Sequence, residues 1–341
     1  MRVIVATGAA VVVLAGLAGG AYGTSTTPPL NLKYSKASAL PSGSRFLKVP
    51  GGSWDGGGLS ASATTMDVGT AAGIQQVDAK SNTFKPRLLS GKEADGIAYY
   101  QGRIWASDYD GNVVRAVDEA KGTVVATVSL PQFASPEDVV AAAGSIWVAE
   151  HHLGAVAQIN PVSGKIVASV TVASIGSDGP QGMSYGAGSL WVSAPNVGQV
   201  VRIDPTNRHI LARIRIPAPM SPCSTIAVGT TSAWVTDCLD DTLAARISLA
   251  TNKVARVIDM HGRSIEPVAQ GDTAWFLIGR DPDNQSMKQQ HAYLVQLSST
   301  DRVLRRYDLG PRFTPGGAAI AFGSLWASSF TTPWVARIPL T

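Results

Sequence analysis

The segment Gln181-Gly-Met-Ser-Tyr-Gly-Ala-Gly-Ser-Leu-Trp191-Val-Ser-Ala-Pro-Asn-Val-Gly-Gln-Val-Val-Arg-Ile-Asp204 decides the fold. Gly, Pro and Asn separate its three short runs of apolar and polar residues, as in antiparallel strands joined by tight turns. A fourth run follows at 209–216, after the turn residues Asp-Pro-Thr-Asn. The segment therefore predicts a four-stranded sheet, with strands A to D in chain order and Trp191 on strand B.

The phrase around this tryptophan recurs along the chain. Further copies have the tryptophan at intervals of 41 to 51 residues, at Trp105, Trp147, Trp234, Trp275 and Trp326. One more copy lacks it: Val77-Asp78 matches Ile203-Asp204, and the usual spacing then puts Thr65 at the tryptophan position. A strand-rich repeat of about 40 to 45 residues is typical of a β-propeller with one blade per repeat. The sequence predicts an all-β protein with seven antiparallel blades.

The last copy is incomplete, because the chain ends just after its strand C at 334–338. The segment Ser42-Gly-Ser-Arg-Phe-Leu-Lys-Val-Pro50 is similar to the strand-D segment at 163–170. We expect this N-terminal strand to complete the last blade and close the ring, which removes an exposed strand edge. The predicted propeller domain is 45–341.

Composition excludes several classes of protein. With 45% hydrophobic and 15% charged residues, the chain is typical of buried strands rather than of a disordered or coiled-coil protein. The net charge of +4 is mild for 341 residues, and no aromatic-basic RNA motif is present. We expect a monomer that does not bind nucleic acid.

The N-terminus has the features of a secretory signal. A positive start is followed by an apolar run at 3–18, and Ala21 and Gly23 occupy the small-residue positions of a cleavage site. This predicts a signal peptide at 1–23, a Ser/Thr/Pro-rich linker at 24–44, and a secreted or cell-envelope protein with no transmembrane domain after cleavage. An uncleaved anchor stays open, because roughly 19 apolar residues can just span a bilayer.

Cys223 and Cys238 are the two cysteines of the chain. The predicted A–B hairpin of the fifth blade turns between Thr230 and Thr231, which places the two cysteines opposite each other and within disulfide reach. In an exported protein this favours a structural disulfide, worth about 3 kcal/mol in the chain-entropy model. The alternative, a redox or metal pair, lacks a CxxC motif and a flanking histidine.

The repeat resembles bacterial YVTN-type and virginiamycin B lyase-like propellers over residues 42–341. The similarity is carried by Gly198-Gln-Val-Val-Arg-Ile-Asp-Pro205 and by Gly164-Lys-Ile-Val-Ala-Ser169. It implies the fold, while activity on this scaffold varies widely. Virginiamycin B lyases open a cyclic peptide ester by elimination, with a histidine base and a metal ion near the central channel.

An acidic mouth is the best sign of a site. The positions ten residues before each tryptophan, their neighbours and the B–C loops should line one end of the central channel. Propeller ligands usually bind there. The predicted ligand-binding residues are Asp55, Asp95, Asp108, Glu137, Glu150, Gln181, Asp237 and Glu266, with Trp334 as an apolar wall.

Three interpretations of these residues compete. The carboxylates can cap turns and bind neighbouring backbone amides. They can bind a cationic ligand or a Mg²⁺ or Ca²⁺ ion. They can also belong to a lyase or hydrolase in which His152 or His151 is the base and Glu137, Glu150 or Glu266 holds a metal ion. We favour a non-catalytic scaffold that binds a ligand or a protein partner and needs no cofactor, because the histidines lie one loop further out than the innermost positions.

Overall fold

A computed structural model describes residues 27–50, 56–177, 179–237, 242–279, 291–311 and 313–340. Its strands form seven sheets, and the innermost strand of each sheet packs against the innermost strands of its two neighbours, so that the sheets close into a ring. The predicted seven-bladed β-propeller is confirmed. None of the helices in these residues is long and apolar enough to cross a membrane.

Each blade is an antiparallel meander that runs outward from the central channel. The innermost strands, A, are Gly56–Ala61, Ile97–Tyr100, Pro136–Ala142, Met183–Gly186, Ala227–Val228, Arg263–Gln270 and Pro315–Ala321. The B strands are Thr65–Thr70, Arg103–Asp108, Ser145–Glu150, Ser189–Ala194, Ser232–Thr236, Thr273–Gly279 and Ser324–Ser329.

The outer half of each blade completes the sheet. The C strands are Gly73–Asp78, Val113–Asp118, Ala155–Asn160, Gln199–Ile203, Leu243–Ser248, Ala292–Ser298 and Trp334–Pro339. The D strands of blades two to six are Thr123–Ser129, Lys165–Thr171, Ile210–Arg215, Lys253–Asp259 and Val303–Gly310. Two short 3-10 turns, His151–Leu153 and Pro195–Val197, lie in the B–C loops of blades three and four.

The core lies between the blades. All six repeated tryptophans are fully buried, and each packs with apolar residues from its own and the adjacent blade. In two blades the indole N–H donates to a carbonyl of strand A: Trp191 to Gly186 at 3.1 Å, and Trp326 to Ala321 at 3.2 Å. Because one tryptophan fills each of six interfaces between blades, the repeat of the tryptophan follows the repeat of the fold.

The ring closes as the sequence predicts. Strand Arg45–Lys48 pairs with Trp334–Pro339, with Lys48 opposite Trp334 and Arg45 opposite Arg337. The N-terminal segment thereby supplies the outer strand of blade seven and covers the edge of strand Trp334–Pro339.

Blade one differs from the prediction at its tryptophan position. Met66 pairs with Val77 and Asp67 pairs with Gln76, as Leu190 pairs with Ile203 and Trp191 with Arg202 in blade four. Asp67 therefore occupies the tryptophan position, and the assignment of Thr65 is wrong. The outer segment 83–88 of this blade pairs through isolated bridges rather than a regular strand, and it contains Pro86, which has no N–H to donate.

Much of the stretch assigned to a linker is packed against the ring. Strand Leu30–Asn31 pairs in parallel with the outer edge of blade five, and Leu32 is buried in the core between blades five and six. The Tyr34 hydroxyl donates to the Met260 carbonyl at 3.0 Å, and Ser38 bridges to the outer edge of blade six. We call residues 27–44 the strap. The predicted signal peptide lies outside the described residues.

The cysteine hairpin has the predicted turn but a shifted register. Ala227 pairs with Trp234 and Val228 with Ala233, as a turn between Thr230 and Thr231 requires. At the open end, however, Pro222 pairs with Asp237, and the N–H of Cys223 donates to Thr236 at 3.4 Å. Cys223 is thus opposite Thr236. Cys238 lies outside the described residues, and the disulfide stays a prediction.

Candidate functional site

The A strands form the wall of the channel, and glycine lets them approach closely. In blades two, four and seven, the residue nine before the tryptophan is Gly96, Gly182 or Gly317. A β-carbon on Gly96 would lie 2.6 Å from the Asp138 α-carbon of the next blade, and one on Gly317 would lie 2.5 Å from the Gly57 carbonyl oxygen. These distances leave no space for a side chain, so the inner wall there is bare backbone.

In each of these three blades, a serine two residues after the tryptophan forms a hydrogen bond with the glycine. The hydroxyl oxygens of Ser107, Ser193 and Ser328 each accept the glycine N–H of their own blade at 2.9 Å. The Ser107 hydroxyl also donates to the Glu137 carbonyl of the next blade at 2.6 Å. The sequence analysis missed these serines, although the repeated Trp-x-Ser spacing could have revealed them.

In blades three and six a carboxylate, Asp138 or Glu266, occupies the position nine residues before the tryptophan, and in blade five Thr225 occupies it. Asp138 accepts the Val139 N–H and, from the next blade, the Met183 N–H, both at 2.7 Å. Glu266 likewise accepts the Ala318 N–H of the next blade. Both carboxylates therefore link neighbouring A strands, as the interpretation of structural capping expects.

Serine makes the same link in two other blades. The Ser60 hydroxyl oxygen accepts the Tyr99 N–H at 2.8 Å, and the Ser184 hydroxyl oxygen accepts the Ile226 N–H at 3.0 Å. Since a neutral hydroxyl suffices for this hydrogen bond, the link alone does not explain a carboxylate. The additional feature of Asp138 and Glu266 is a negative charge in the channel wall.

The channel raises the proton affinity of three carboxyl groups. Burial is the main cause in each case, and it raises the pKa of Glu137, Asp138 and Glu266 to about 7. Neighbouring negative charge adds to the effect, from Glu266 on Asp138 and from Asp138 on Glu137. Each group keeps a minor part of its surface accessible. Water or a ligand in the channel can therefore reach it.

In the described residues, a cluster of acidic groups lies at the mouth of the channel between blades two and three. Burial, together with the charges of Glu137, Asp110 and Asp95, raises the pKa of the Tyr109 hydroxyl. Burial and the charges of Asp110 and Asp108 likewise raise the pKa of Glu93. The structure therefore brings Asp95 and Glu137 of the predicted set into one electrostatic cluster, and it adds Glu93, which the sequence analysis did not name.

His151 and His152, the two candidates for the catalytic base, lie beside this cluster. The Tyr109 hydroxyl and His152 Nε2 are 3.3 Å apart, and the His151 and His152 ring centres are 5.0 Å apart. His151 is buried, whereas His152 is partly exposed. His152 is thus the one of the pair that a ligand in the mouth can reach.

Three predicted ligand-binding carboxylates are engaged within the scaffold. Asp108 pairs with Arg115 and accepts the Gly111 N–H at 2.6 Å. Glu150 is buried and accepts the Ser169 hydroxyl at 3.3 Å, and its burial raises its pKa. Asp237 is buried and accepts the Ser221 N–H at 2.8 Å. The structure places these side chains as supports of the loops.

The remaining predicted residues have different positions. Asp55 lies outside the described residues. Gln181 is partly exposed, and its N–H donates to the Ser193 carbonyl at 3.2 Å. Trp334 lines an apolar pocket of about 240 Å³ between the outer parts of blades six and seven, with Phe46, Leu309, Gly310, Pro311 and Phe313. That pocket is formed by outer strands, away from the acidic cluster of blades two and three.

No group of three or more His, Cys, Asp or Glu side chains in the described part of the chain is arranged to hold a metal ion. The channel offers instead two carboxylates in separate blades, with Glu137 next to one of them. This arrangement suits an elongated or branched cation that reaches several carboxylates in turn.

The fold is shared with proteins of several functions. Virginiamycin B lyase from Staphylococcus aureus superposes with a TM-score of 0.71 at 16% identity, covering 87% of this chain and 99% of that chain. A catalytically inactive histidine-to-alanine variant of that lyase with quinupristin gives a TM-score of 0.70. BamB from Moraxella catarrhalis gives 0.58 at 12% identity, covering 84% of this chain and 83% of that chain.

The WD40 repeats of RRP9 give a TM-score of 0.69 at 10% identity, covering 90% of this chain and 100% of that chain. No family model and no curated protein sequence matches this chain. At these identities the similarity concerns the fold alone, and the fold hosts unrelated functions.

Proposed function

We propose that this protein is an exported scaffold that binds a cationic group of a ligand or a protein partner in its acidic mouth and central channel. The observation that carries the proposal is the set of three channel carboxyls, Glu137, Asp138 and Glu266, whose pKa values burial raises to about 7. A cation that enters the channel supplies the positive charge that stabilises the deprotonated forms of these carboxyls.

The energetics favour a cation over an anion or a neutral group. Deprotonated carboxylates in a confined, poorly hydrated space attract a cation more strongly than exposed carboxylates do. Their hydrogen bonds from Met183 and Ala318 fix the two carboxylates before the ligand arrives, so little ordering is needed on binding. The Tyr109 ring and the acidic cluster of blades two and three form the entrance.

Export, the disulfide and the location belong to the same proposal. The apolar leader with Ala21 and Gly23 supports secretion or retention in the cell envelope. The pair of cysteines at one hairpin supports an oxidising compartment. We propose that the protein acts as a monomer there, since its ring is closed by its own N-terminal strand.

A metal-assisted lyase or hydrolase is the second candidate, and the contact between Tyr109 and His152 favours it. The tyrosine hydroxyl can donate to Nε2 and orient the imidazole at the mouth, close to Glu137. His152 would then take a proton from a bound substrate. Glu137 would be one ligand of a Mg²⁺ or Ca²⁺ ion, and the described residues supply no cluster that completes the site. The fold of virginiamycin B lyase is compatible with this role.

The direct test is calorimetric titration with a lysine oligopeptide and, separately, with Ca²⁺ and Mg²⁺. We expect the peptide to bind, and the double variant Asp138→Asn, Glu266→Gln to lose at least about tenfold in affinity, or about 1.4 kcal/mol. Asp118→Asn, a carboxylate at the opposite end of the ring, is the matched control. Unchanged peptide affinity in the double variant contradicts the proposal, and turnover of a cyclic peptide ester that His152→Ala abolishes supports the lyase.

A further inference from the structure

The outer wall of the ring has two chemically different halves. The D strands of blades two and three, Thr123–Ser129 and Lys165–Thr171, contain one cation and no carboxylate. The D strands of blades four to six and the closing strand of blade seven contain eight cations: Arg213, Arg215, Lys253, Arg256, Arg305, Arg306, Arg45 and Lys48. We call these eight residues, with the adjacent exposed Lys33, Lys36, Arg208 and Arg302, the basic wall.

The carboxylates of the same strands do not neutralise the basic wall. Asp308 accepts His291 Nδ1 at 2.9 Å through both of its oxygens. Asp259 accepts the His261 N–H at 2.8 Å. They are two negative charges on strands that contain eight positive ones, so these strands keep a net positive charge.

Contacts fix two side chains of the basic wall, Arg213 and Arg306. The Arg213 guanidinium donates to the Val172 carbonyl at 2.7 Å, and the Arg306 guanidinium donates to Ser35 of the strap at 3.1 Å. The Arg306 guanidinium also lies over the Tyr293 ring, 3.8 Å from its centre. These two guanidinium groups therefore lose less conformational entropy on binding than mobile side chains do.

We propose that the basic wall is a docking surface for a flexible polyanion, such as a phosphate-bearing polymer. Opposite charge is the first reason, because closely spaced cations release the condensed counterions of a polyanion. Curvature is the second. The cations follow four of the seven blades, more than half of the circumference. A flexible chain can follow this curve, whereas a flat surface touches few blades at once.

The distribution of exposed apolar side chains also favours a polymer over a lipid bilayer. In the described chain, most of the large apolar side chains that are exposed lie in or next to blades two and three: Val124, Val125, Phe133, Val162, Ile166, Val167 and Ile175. A surface that docks on a bilayer gains from apolar groups beside its cations. Here most of the apolar groups are on the other half of the ring.

The test uses the full chain and fluorescently labelled inorganic polyphosphate, with affinity measured by anisotropy at roughly 0.15 M salt. The wall variant combines Lys33→Gln, Lys36→Gln, Lys253→Gln and Arg302→Gln. The control combines Lys80→Gln, Lys92→Gln, Lys121→Gln and Lys165→Gln, four exposed cations from blades one to three with the same change in net charge. We expect the wall variant to weaken binding at least about tenfold and the control less than about twofold.

Equal weakening in both variants would mean that net charge alone attracts the polymer, and it would overturn the proposal. So would the absence of binding at that salt concentration, or tighter binding to phosphatidylglycerol vesicles that the wall variant abolishes. If the wall variant does not fold, the pair Lys253→Gln and Arg302→Gln replaces it, because both side chains are exposed. Asp138→Asn should leave polyphosphate affinity unchanged, which separates this site from the channel.

Discussion

Asp138 of blade three and Glu266 of blade six occupy the same position of the repeat, and the negative charge of Glu266 raises the pKa of Asp138. Two further blades separate them on one side of the ring and three on the other, so they interact across the central channel. Each also accepts a backbone N–H from the following blade. The same two carboxyl groups thus link neighbouring blades and place negative charge in the channel.

The first prediction concerns stability and pH. A carboxyl whose pKa is raised to about 7 holds its proton more tightly in the folded protein than in the unfolded chain. The stabilisation from this group is complete below about pH 4, the usual pKa of a carboxyl in an unfolded chain. It is lost as the pH rises through 7. We therefore expect the melting temperature of the unliganded protein to fall between pH 5 and pH 8.

The double variant Asp138→Asn, Glu266→Gln should flatten this dependence, because the neutral amides do not titrate. Between pH 5 and pH 8, the free energy of unfolding of the wild type should fall by about 1 to 3 kcal/mol more than that of the double variant for each carboxyl replaced. Calorimetry across the pH range, with Asp118→Asn as the control, checks it. A double variant with the pH profile of the wild type would show that other groups cause the fall.

The second prediction links cation binding to proton release. At neutral pH the channel carboxyls are partly protonated, and a bound cation favours their charged forms. We expect the affinity for a lysine oligopeptide to rise between pH 6 and pH 8, with roughly one proton released per peptide near pH 7. Titration in two buffers of different ionisation enthalpy measures that release. A pH-independent affinity would exclude these groups as the binding charges.

The third prediction concerns Asp67, a carboxylate where six blades have tryptophan. It is fully buried, and its Oδ1 accepts the Thr65 hydroxyl and the Gln76 amide, both at 2.8 Å. Burial is the main cause that raises its pKa to about 6, with the charge of Glu119 adding to the effect and Lys85 opposing it. Stability from this group is therefore complete below about pH 4 and lost as pH rises through 6.

Asp67→Asn keeps both acceptor contacts on a neutral side chain. We expect it to stabilise the protein at pH 8 by up to about 3 kcal/mol and to have little effect at pH 4.5. Denaturant unfolding at the two pH values is the measurement. Asp118→Asn, at a partly exposed turn where the amide oxygen can still accept the Lys121 N–H, should change stability little at either pH. A destabilised Asp67→Asn protein at pH 8 would contradict this interpretation.

Asp67 also shows where the repeat pattern stops being informative. The number of blades, the buried tryptophans and the closing strand follow from apolar spacing, which reports directly on burial. The tryptophan position of blade one was counted back from strand C with the spacing of the other blades. In blade one the B–C turn has two residues, between Thr70 and Gly73, whereas blade four has four between Ala194 and Gln199. The count was therefore wrong by two residues.

The site was less predictable than the fold, for a physical reason. Sequence spacing placed Glu137 and Glu266 in the channel wall, and the structure agrees. It gave the same weight to Asp108 and Asp237, because a carboxylate that supports a loop and one that faces a ligand have the same sequence signal. The structure separates the two classes by burial: Asp108 and Asp237 are buried among their loop partners, whereas Glu137 and Glu266 keep part of their surface accessible.

The fourth prediction concerns the strap. Leu32 is buried between blades five and six, and the carbonyl of the same residue accepts His261 Nε2–H at 2.8 Å. Leu32→Ala should cost about 2 to 4 kcal/mol, because it leaves a cavity in that core. Asn31→Ala, an exposed position of the same strand, is the control and should cost less than about 0.5 kcal/mol. Equal stability of the two variants in urea would show that the strap does not contribute to the folded ring.

The fifth prediction is the bond between Cys223 and Cys238. At the open end of the hairpin Cys223 is opposite Thr236, and Cys238 follows two residues later in the sequence. In an exported protein, two cysteines this close in one hairpin favour a structural disulfide. We expect the intact mass to be lower than that of the reduced chain by two hydrogens.

Reduction should lower stability by up to about 3 kcal/mol, because the bond closes a loop of about 15 residues in the unfolded chain. The variant Cys223→Ser, Cys238→Ser should show the same stability with and without reductant, and the wild type should approach it only when reduced. The comparison separates loss of the bond from loss of the buried Cys223 side chain, which the double variant also removes. Two alkylatable thiols in the protein purified without reductant would exclude the disulfide.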